Sequence, residues 1–126
     1  ERYDYHVDPV EEFFYQMKGN AFLRIMTKNG PEEVHMKEGD IFLLPAFVRH
    51  SPQRPEEGSI CLVIEPKRPD GAKDAFEWYC QECDHLVHRA EMILNDISKD
   101  LQPVFKAFRN NESLRTCPSC NAVHPA

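Results

Sequence analysis

A mainly β fold is predicted for this chain: an antiparallel barrel or sandwich, followed by a small helical extension that holds a metal through cysteine. Three observations predict it. Short apolar runs recur between residues 12 and 65, separated by Gly, Asn, Asp and Pro, the spacing of a many-stranded antiparallel fold. Pro66–Ala72 carries two prolines and a glycine and reads as a linker. Beyond it, two Cys-x-x-Cys pairs, Cys80/Cys83 and Cys117/Cys120, bracket a stretch with helical periodicity. The resulting organisation is a barrel over residues 1–72 and an extension over residues 73–126.

The elements follow in chain order. Glu12–Gln16 is aromatic and apolar, and Ala21–Met26 is apolar apart from Arg24. Asn29-Gly30-Pro31 marks a turn before a short strand, Glu33–Met36, and Lys37-Glu38-Gly39-Asp40 marks a second turn. Ile41–Leu44 and Ile60–Glu65 read as strands stopped by Pro45 and Pro66, since proline cannot donate to a sheet ladder. In the extension, Met92, Ile93 and Ile97 form one apolar stripe that predicts a helix over Ala90–Ile97. A second helix through Val104, Phe105 and Phe108 begins or kinks at Pro103. Because the sequence opens at Glu1 in already patterned residues, further N-terminal strands are expected before it.

Composition narrows the function. Hydrophobic residues at 41% and charged residues at 29% suit a soluble globular protein, and no apolar run is long enough for a membrane span. A net charge of -6 with scattered basic residues offers no field to attract phosphates, so neither a nucleic-acid nor a membrane partner is expected. The cysteine spacing fits an intracellular metal knuckle better than a disulfide framework, which implies a cytoplasmic protein. Two thiolates on each small turn complete a tetrahedron, so Cys80, Cys83, Cys117 and Cys120 are predicted to hold a structural iron or zinc. His85, His88 and His124 are then spare, and Cys61 reads as a small buried apolar residue.

A second metal set lies in the barrel. His6, Glu12 and His50 supply two imidazoles and one carboxylate, a set that leaves one face of an octahedral ion open, as in non-haem Fe(II) oxygenases. His6 and Glu12 lie six positions apart, an even offset that favours one strand face, although Asp8-Pro9 intervenes. Asp4 is a candidate to orient a ligand histidine, and Arg49 a candidate for a structural ion pair. His35 sits in a short strand without a partner motif and reads as surface or packing.

The order His6…Glu12…Gly19 resembles the first conserved motif of the cupin superfamily, and Gly39…Pro45…His50 the second. The first motif usually has another histidine near His6, where this chain has Tyr5 and Asp8. The glycine usual between Pro45 and His50 is Phe47. More closely, Asp4-Tyr5-His6, Glu12-Phe13-Phe14-Tyr15-Gln16, Glu38-Gly39-Asp40-Ile41-Phe42-Leu43-Leu44-Pro45, Val48-Arg49-His50-Ser51-Pro52-Gln53-Arg54-Pro55 and Phe76-Glu77-Trp78-Tyr79-Cys80 are similar to the 3-hydroxyanthranilate 3,4-dioxygenase family, in its bacterial and fungal form with a rubredoxin-like second metal.

That resemblance implies a cupin (jelly-roll) barrel with Fe(II) held by His6, Glu12 and His50. It implies that Arg2, Arg54 and Glu65 contact substrate, with Glu65 also catalytic. The substrate would be a small aromatic acid, 3-hydroxyanthranilate, opened by O2 to 2-amino-3-carboxymuconate semialdehyde on the kynurenine route from tryptophan to quinolinate and NAD. A homodimer is implied too. The residue types suit these roles: an arginine fork matches a ring carboxylate, and a carboxylate closing the apolar run Ile60–Ile64 can take a hydroxyl proton and return it. Pro45, Phe47 and Pro52 are expected to form walls that exclude water. Two other readings of a three-ligand cupin are a metal-dependent isomerase, which would consume no O2, and a non-catalytic binder of aromatic acids, which would not turn over.

Overall fold

The computed structural model describes residues 1–126. Nine strands come first: β1 (Asp4–Val7), β2 (Glu12–Lys18), β3 (Ala21–Thr27), β4 (Gly30–Met36), β5 (Ile41–Leu44), β6 (His50–Gln53), β7 (Ile60–Ile64), β8 (Asp74–Tyr79) and β9 (Leu86–Met92). Two helices follow, α1 (Ile97–Asn110) and α2 (Glu112–Arg115). The strands form a six-stranded sheet in the order β4-β3-β6-β1-β8-β9 and a three-stranded sheet in the order β5-β2-β7. All pairings are antiparallel. This is the cupin-like double-sheet architecture, mainly β with a small helical C-terminal part.

Alternation along the strands sets the interior. On β2, Glu12, Phe14 and Gln16 turn inward and are buried, while Phe13 and Tyr15 lie on the outer face. Phe14, Ala21, Leu23, Met36 and Leu44 fill the space between the sheets, with Ile25, Val34, Phe42, Val48 and Cys61 packed around them. Cys61 is thus half-buried rather than enclosed. The β2–β3 connection needs a left-handed residue at Gly19 (φ 68°), where a Cβ would also stand 2.8 Å from a Glu56 carboxylate oxygen.

A second core joins the helices to the large sheet. Phe76, Trp78 and Phe108 are buried together, with the Trp78 and Phe108 rings stacked at 4.3 Å. Leu101, Val104 and Phe105 of α1 complete it, and Val87 and Met92 of β9 join from the sheet. Because α1 covers β8, Asp74–Trp78 is buried on both faces.

The region after residue 72 differs from the sequence expectation. Residues 74–79 and 86–92 are strands, and β8 pairs with β1 through Asp4↔Trp78 to Val7↔Ala75, so the large sheet runs past the linker. The expected helix over Ala90–Ile97 is absent: Ala90–Met92 end β9, and α1 starts only at Ile97. The cause lies in the cap. Asp96 is extended and its side chain accepts from the Ser98 N–H, which fixes the helix start one residue later. Pro103 falls inside α1. Of the expected stripe, Met92 packs in the second core, whereas Ile93 and Ile97 are exposed.

Candidate active site

Three strands bring the barrel ligands together. His6 on β1 is the direct register partner of His50 on β6, and directly opposed residues of an antiparallel pair project to the same face. Their rings lie 5.3 Å apart. Glu12 opens β2 in the other sheet and reaches across, placing Oε2 2.6 Å from His50 Nε2. One ligand atom from each of His6, Glu12 and His50 falls within 4.8 Å of the others.

The donor chemistry fits a cation at their centre. His50 Nδ1 lies 2.9 Å from the Val48 carbonyl, which can only accept, so Nδ1 carries the hydrogen and Nε2 of the neutral ring presents a lone pair. Glu12 Oε2 is buried and has no hydrogen-bond partner, its approach to His50 notwithstanding. Two buried lone-pair donors facing each other at that distance repel unless a positive ion sits between them. His6 Nε2 is 2.6 Å from Asp74 Oδ2, a buried carboxylate at the edge of the ring, while Phe76 stacks on its face at 4.7 Å. Asp74 therefore takes the orienting role expected of Asp4; Asp4 instead pairs with the Arg2 guanidinium.

The triad forms the base of a cavity of about 250 Å³, large enough for a single-ring molecule. Arg2, Arg54 and Glu65 all line it. Sequence reasoning missed several of its other walls: Arg68 from the linker, Phe76 from β8, and Leu94, Ile97 and Leu101 at the start of the helical part. Leu94, Ile97 and Leu101 show only apolar character in the extension, Phe76 lies in a motif that resembles the family's, and Arg68 is a charge in a Pro/Gly-containing linker. Of the expected apolar wall, Pro52 lines the cavity, but Pro45 and Phe47 do not; Phe47 is 58% exposed. It has φ 66°, the left-handed conformation for which the superfamily glycine at this point is suited.

Glu65 is half-buried and accepts from Arg68 Nη1 at 2.7 Å. Next to it, Asp8 accepts the Val10 N–H at 3.0 Å, and burial, a hydrogen bond shared with Glu65 and the negative charges of Glu12 and Glu65 push its carboxyl up to about 8. Asp8 is outside the cavity lining and stands behind Glu65, with Arg68 Nη2 3.3 Å from its Oδ2. Outside the cavity, Arg49 pairs with buried Glu77 at 3.2 Å, and His35 is exposed next to Glu33.

The four cysteines form a second cluster. Sγ of Cys80 lies 3.5 Å from that of Cys120, and Sγ of Cys83 lies 3.6 Å from that of Cys117. These are close to the edge of a tetrahedron with metal–sulfur bonds of about 2.3 Å. The two turns are built alike. Asp84 N–H donates to the Cys80 carbonyl and Asn121 N–H to the Cys117 carbonyl, and both residues are left-handed (φ 59° and 63°). Asp and Asn tolerate that conformation better than most residues. Burial pushes the Cys117 thiol up, but the Cys120 and Ser119 N–H groups outweigh it and hold it down to about 7, so a thiolate is available. None of these cysteines lines the cavity, and His85, His88 and His124 are outside the four-sulfur set.

A two-sheet barrel holding an open triad of two histidines and one carboxylate under a mostly apolar cavity is a cupin-type metalloprotein, with the donor arrangement of oxygen-using enzymes. Residues 1–109 match the family described as 3-HAO: 3-hydroxyanthranilic acid dioxygenase. The chain belongs to that family, whose members are metal-dependent dioxygenases. It is 59% identical over 125 residues to the 3-hydroxyanthranilate 3,4-dioxygenase of Shewanella woodyi, covering 99% of this chain and 66% of that protein. It is 63% identical over 126 residues to the one from Brucella anthropi (98% and 69%) and 60% identical over 124 residues to the one from Ruegeria pomeroyi (98% and 69%). The chain spans about two thirds of the length of these relatives.

Proposed function

We propose that this chain carries the reaction centre of an Fe(II)-dependent dioxygenase that opens 3-hydroxyanthranilate between C3 and C4 to 2-amino-3-carboxymuconate semialdehyde, on the kynurenine route to quinolinate and NAD. One observation carries the reading: the open triad and Arg2, Arg54 and Glu65 surround one cavity, in a chain about 60% identical to relatives of that name.

His6, Glu12 and His50 hold the iron in this reading, and bound iron supplies adjacent open positions for substrate and O2. Arg2 and Arg54 take the ring carboxylate at the cavity mouth, Arg2 exchanging its Asp4 partner for the substrate. Glu65 accepts the 3-hydroxyl proton and Asp8 stands beside it as a neutral acid. Phe14, Phe76, Val63 and Leu101 exclude water from the reacting ring.

Cys80, Cys83, Cys117 and Cys120 hold a structural iron or zinc that ties α1 and α2 to the sheet. A homodimer is supported by the outer face of the small sheet, where Ile41, Leu43, Leu62 and Ile64 are exposed in register around Phe13 and Tyr15. The paired, unbridged cysteines support a cytoplasmic protein, the net charge of -6 speaks against a nucleic-acid partner, and no helix is long and apolar enough to cross a membrane.

The test is O2 uptake by the Fe(II)-loaded protein with 3-hydroxyanthranilate, following the yellow absorbance of the semialdehyde. Stoichiometric uptake and product are expected; a metal-loaded full-length protein that consumes no O2 overturns the reading.

A further inference from the structure

Arg68 lines the cavity beside Glu65. Its side chain is 17% exposed, and its guanidinium donates in three directions. Nε and Nη2 grip the two oxygens of Asp74, at 2.6 Å to Oδ1 and 2.8 Å to Oδ2. Nη1 donates to Glu65 Oε1 at 2.7 Å, and Nη2 also reaches Asp8 Oδ2 at 3.3 Å. Asp74 is fully buried, and its Oδ2 meets His6 Nε2 at 2.6 Å. A single planar group therefore connects one triad imidazole, through Asp74, to the Glu65 carboxylate on the cavity wall.

We propose that Arg68 is a positioning residue that fixes His6 and Glu65 relative to each other, acting on His6 through Asp74 and on Glu65 directly. This deepens the functional reading above and rests on it for the roles of His6 and Glu65. The geometry asks for arginine. Side-on, two-point contact sets the plane of the Asp74 carboxylate, and with it the direction from which Oδ2 holds the His6 ring. The third nitrogen then places Glu65 at a fixed offset from that plane. A lysine would balance the same charge as a point, with no plane to transmit. Simple neutralisation of buried carboxylates predicts that lysine substitutes well; positioning predicts that it does not.

Three variants separate the two accounts. They are made in the full-length protein with the four-cysteine site already saturated with Zn(II), so that added Fe(II) reports the triad under anaerobic calorimetry. Asp74→Asn is expected to weaken Fe(II) binding by about 10–100-fold, the usual effect of removing a ligand's orienting partner. It should leave kcat per bound iron less affected. Glu65→Gln is expected to lower kcat with Fe(II) affinity changed by less than about threefold. Arg68→Lys is expected to do both: to weaken Fe(II) binding about tenfold and to lower kcat per bound iron, with KM moving little because Arg2 and Arg54 still take the carboxylate.

An Arg68→Lys protein with a lower Tm but unchanged Fe(II) affinity and kcat overturns the inference. Should Arg68→Lys not fold, the cycle of Asp74→Asn with Glu65→Gln decides: coupling in kcat of more than about threefold supports the inference, and additivity overturns it. Failure of the parent reading looks different. There the unmodified protein binds no Fe(II) beyond the cysteine site, or binds it and consumes no O2.

Discussion

His6 and His50 are register partners across β1 and β6, with their rings 5.3 Å apart, so the pairing of two short strands sets the separation of two candidate ligand imidazoles. Sheet hydrogen bonds fix that separation before any ion arrives, and the third donor comes from the facing sheet at Glu12. The ligand geometry is in this sense a property of barrel closure.

Replacing His50 or Glu12 by alanine is expected to abolish Fe(II) retention at the triad and turnover together. Glu12→Ala should also lower Tm in the metal-free protein at neutral pH: burial pushes the Glu12 carboxyl up, but His50 at 2.6 Å and His6 outweigh it and hold it below the usual carboxylate range, so its loss costs on the order of 1 kcal/mol. Metal analysis and a thermal melt of the chelated protein check both outcomes.

Glu65→Gln keeps the shape of the side chain but removes its basicity. A fall in kcat of about 100-fold or more is expected, with substrate still bound through the arginines. Stopped-flow measurement of binding and of product formation separates the two; an unchanged kcat would remove Glu65 from proton transfer.

Phe47 adopts φ 66° with its ring largely in solvent. A left-handed conformation costs an L-residue about 1–2 kcal/mol, while glycine adds up to about 1 kcal/mol of unfolded-state entropy. Phe47→Gly is therefore expected to stabilise by up to about 1 kcal/mol, read as a rise in denaturation midpoint. Phe47→Val should lower it, since a β-branched residue is least suited to positive φ.

Burial lowers the pKa of both His88 and His124 below the ordinary imidazole value of about 6.5. Below that pH the unfolded chain takes up protons that the folded chain still refuses. Their contribution is complete above about pH 6.5 and is lost as pH falls. The zinc-loaded protein should melt several degrees lower at pH 5.5 than at pH 7.5, and His124→Phe should reduce that difference.

Much of this architecture could be read in the sequence because it is local. Strands β2, β3, β5 and β7 announce themselves through apolar runs between turn residues, and the cysteine pairs through their spacing. Six cavity residues, from Arg2 to Glu65, were identified through motif order and family resemblance, and the fold brings all of them to one space. What escaped is what depends on distant partners. β9 alternates only weakly, and Ala90–Met92 is strand because β8 lies beside it, not because of its own periodicity. Asp74 carries no local mark as the partner of His6, which lies 68 residues earlier. Arg68 reads as linker although Glu65 and Asp74 lie within six residues of it, because nothing in a Pro/Gly-containing segment shows that its guanidinium is turned inward.

The two cysteine turns lie on either side of α1, and the N-terminal part of that helix, through Ile97 and Leu101, walls the cavity. Closing the 34-residue span from Cys83 to Cys117 works like a drawstring, denying the unfolded chain much of its freedom. Cutting the string would leave His6, Glu12 and His50 in place on their strands but slacken one side of the chamber. Under the proposed function, losing an ion from the four cysteines would be felt first as a leak: a weaker hold on the ring of a bound molecule and water in the chamber, with the three barrel donors still in place.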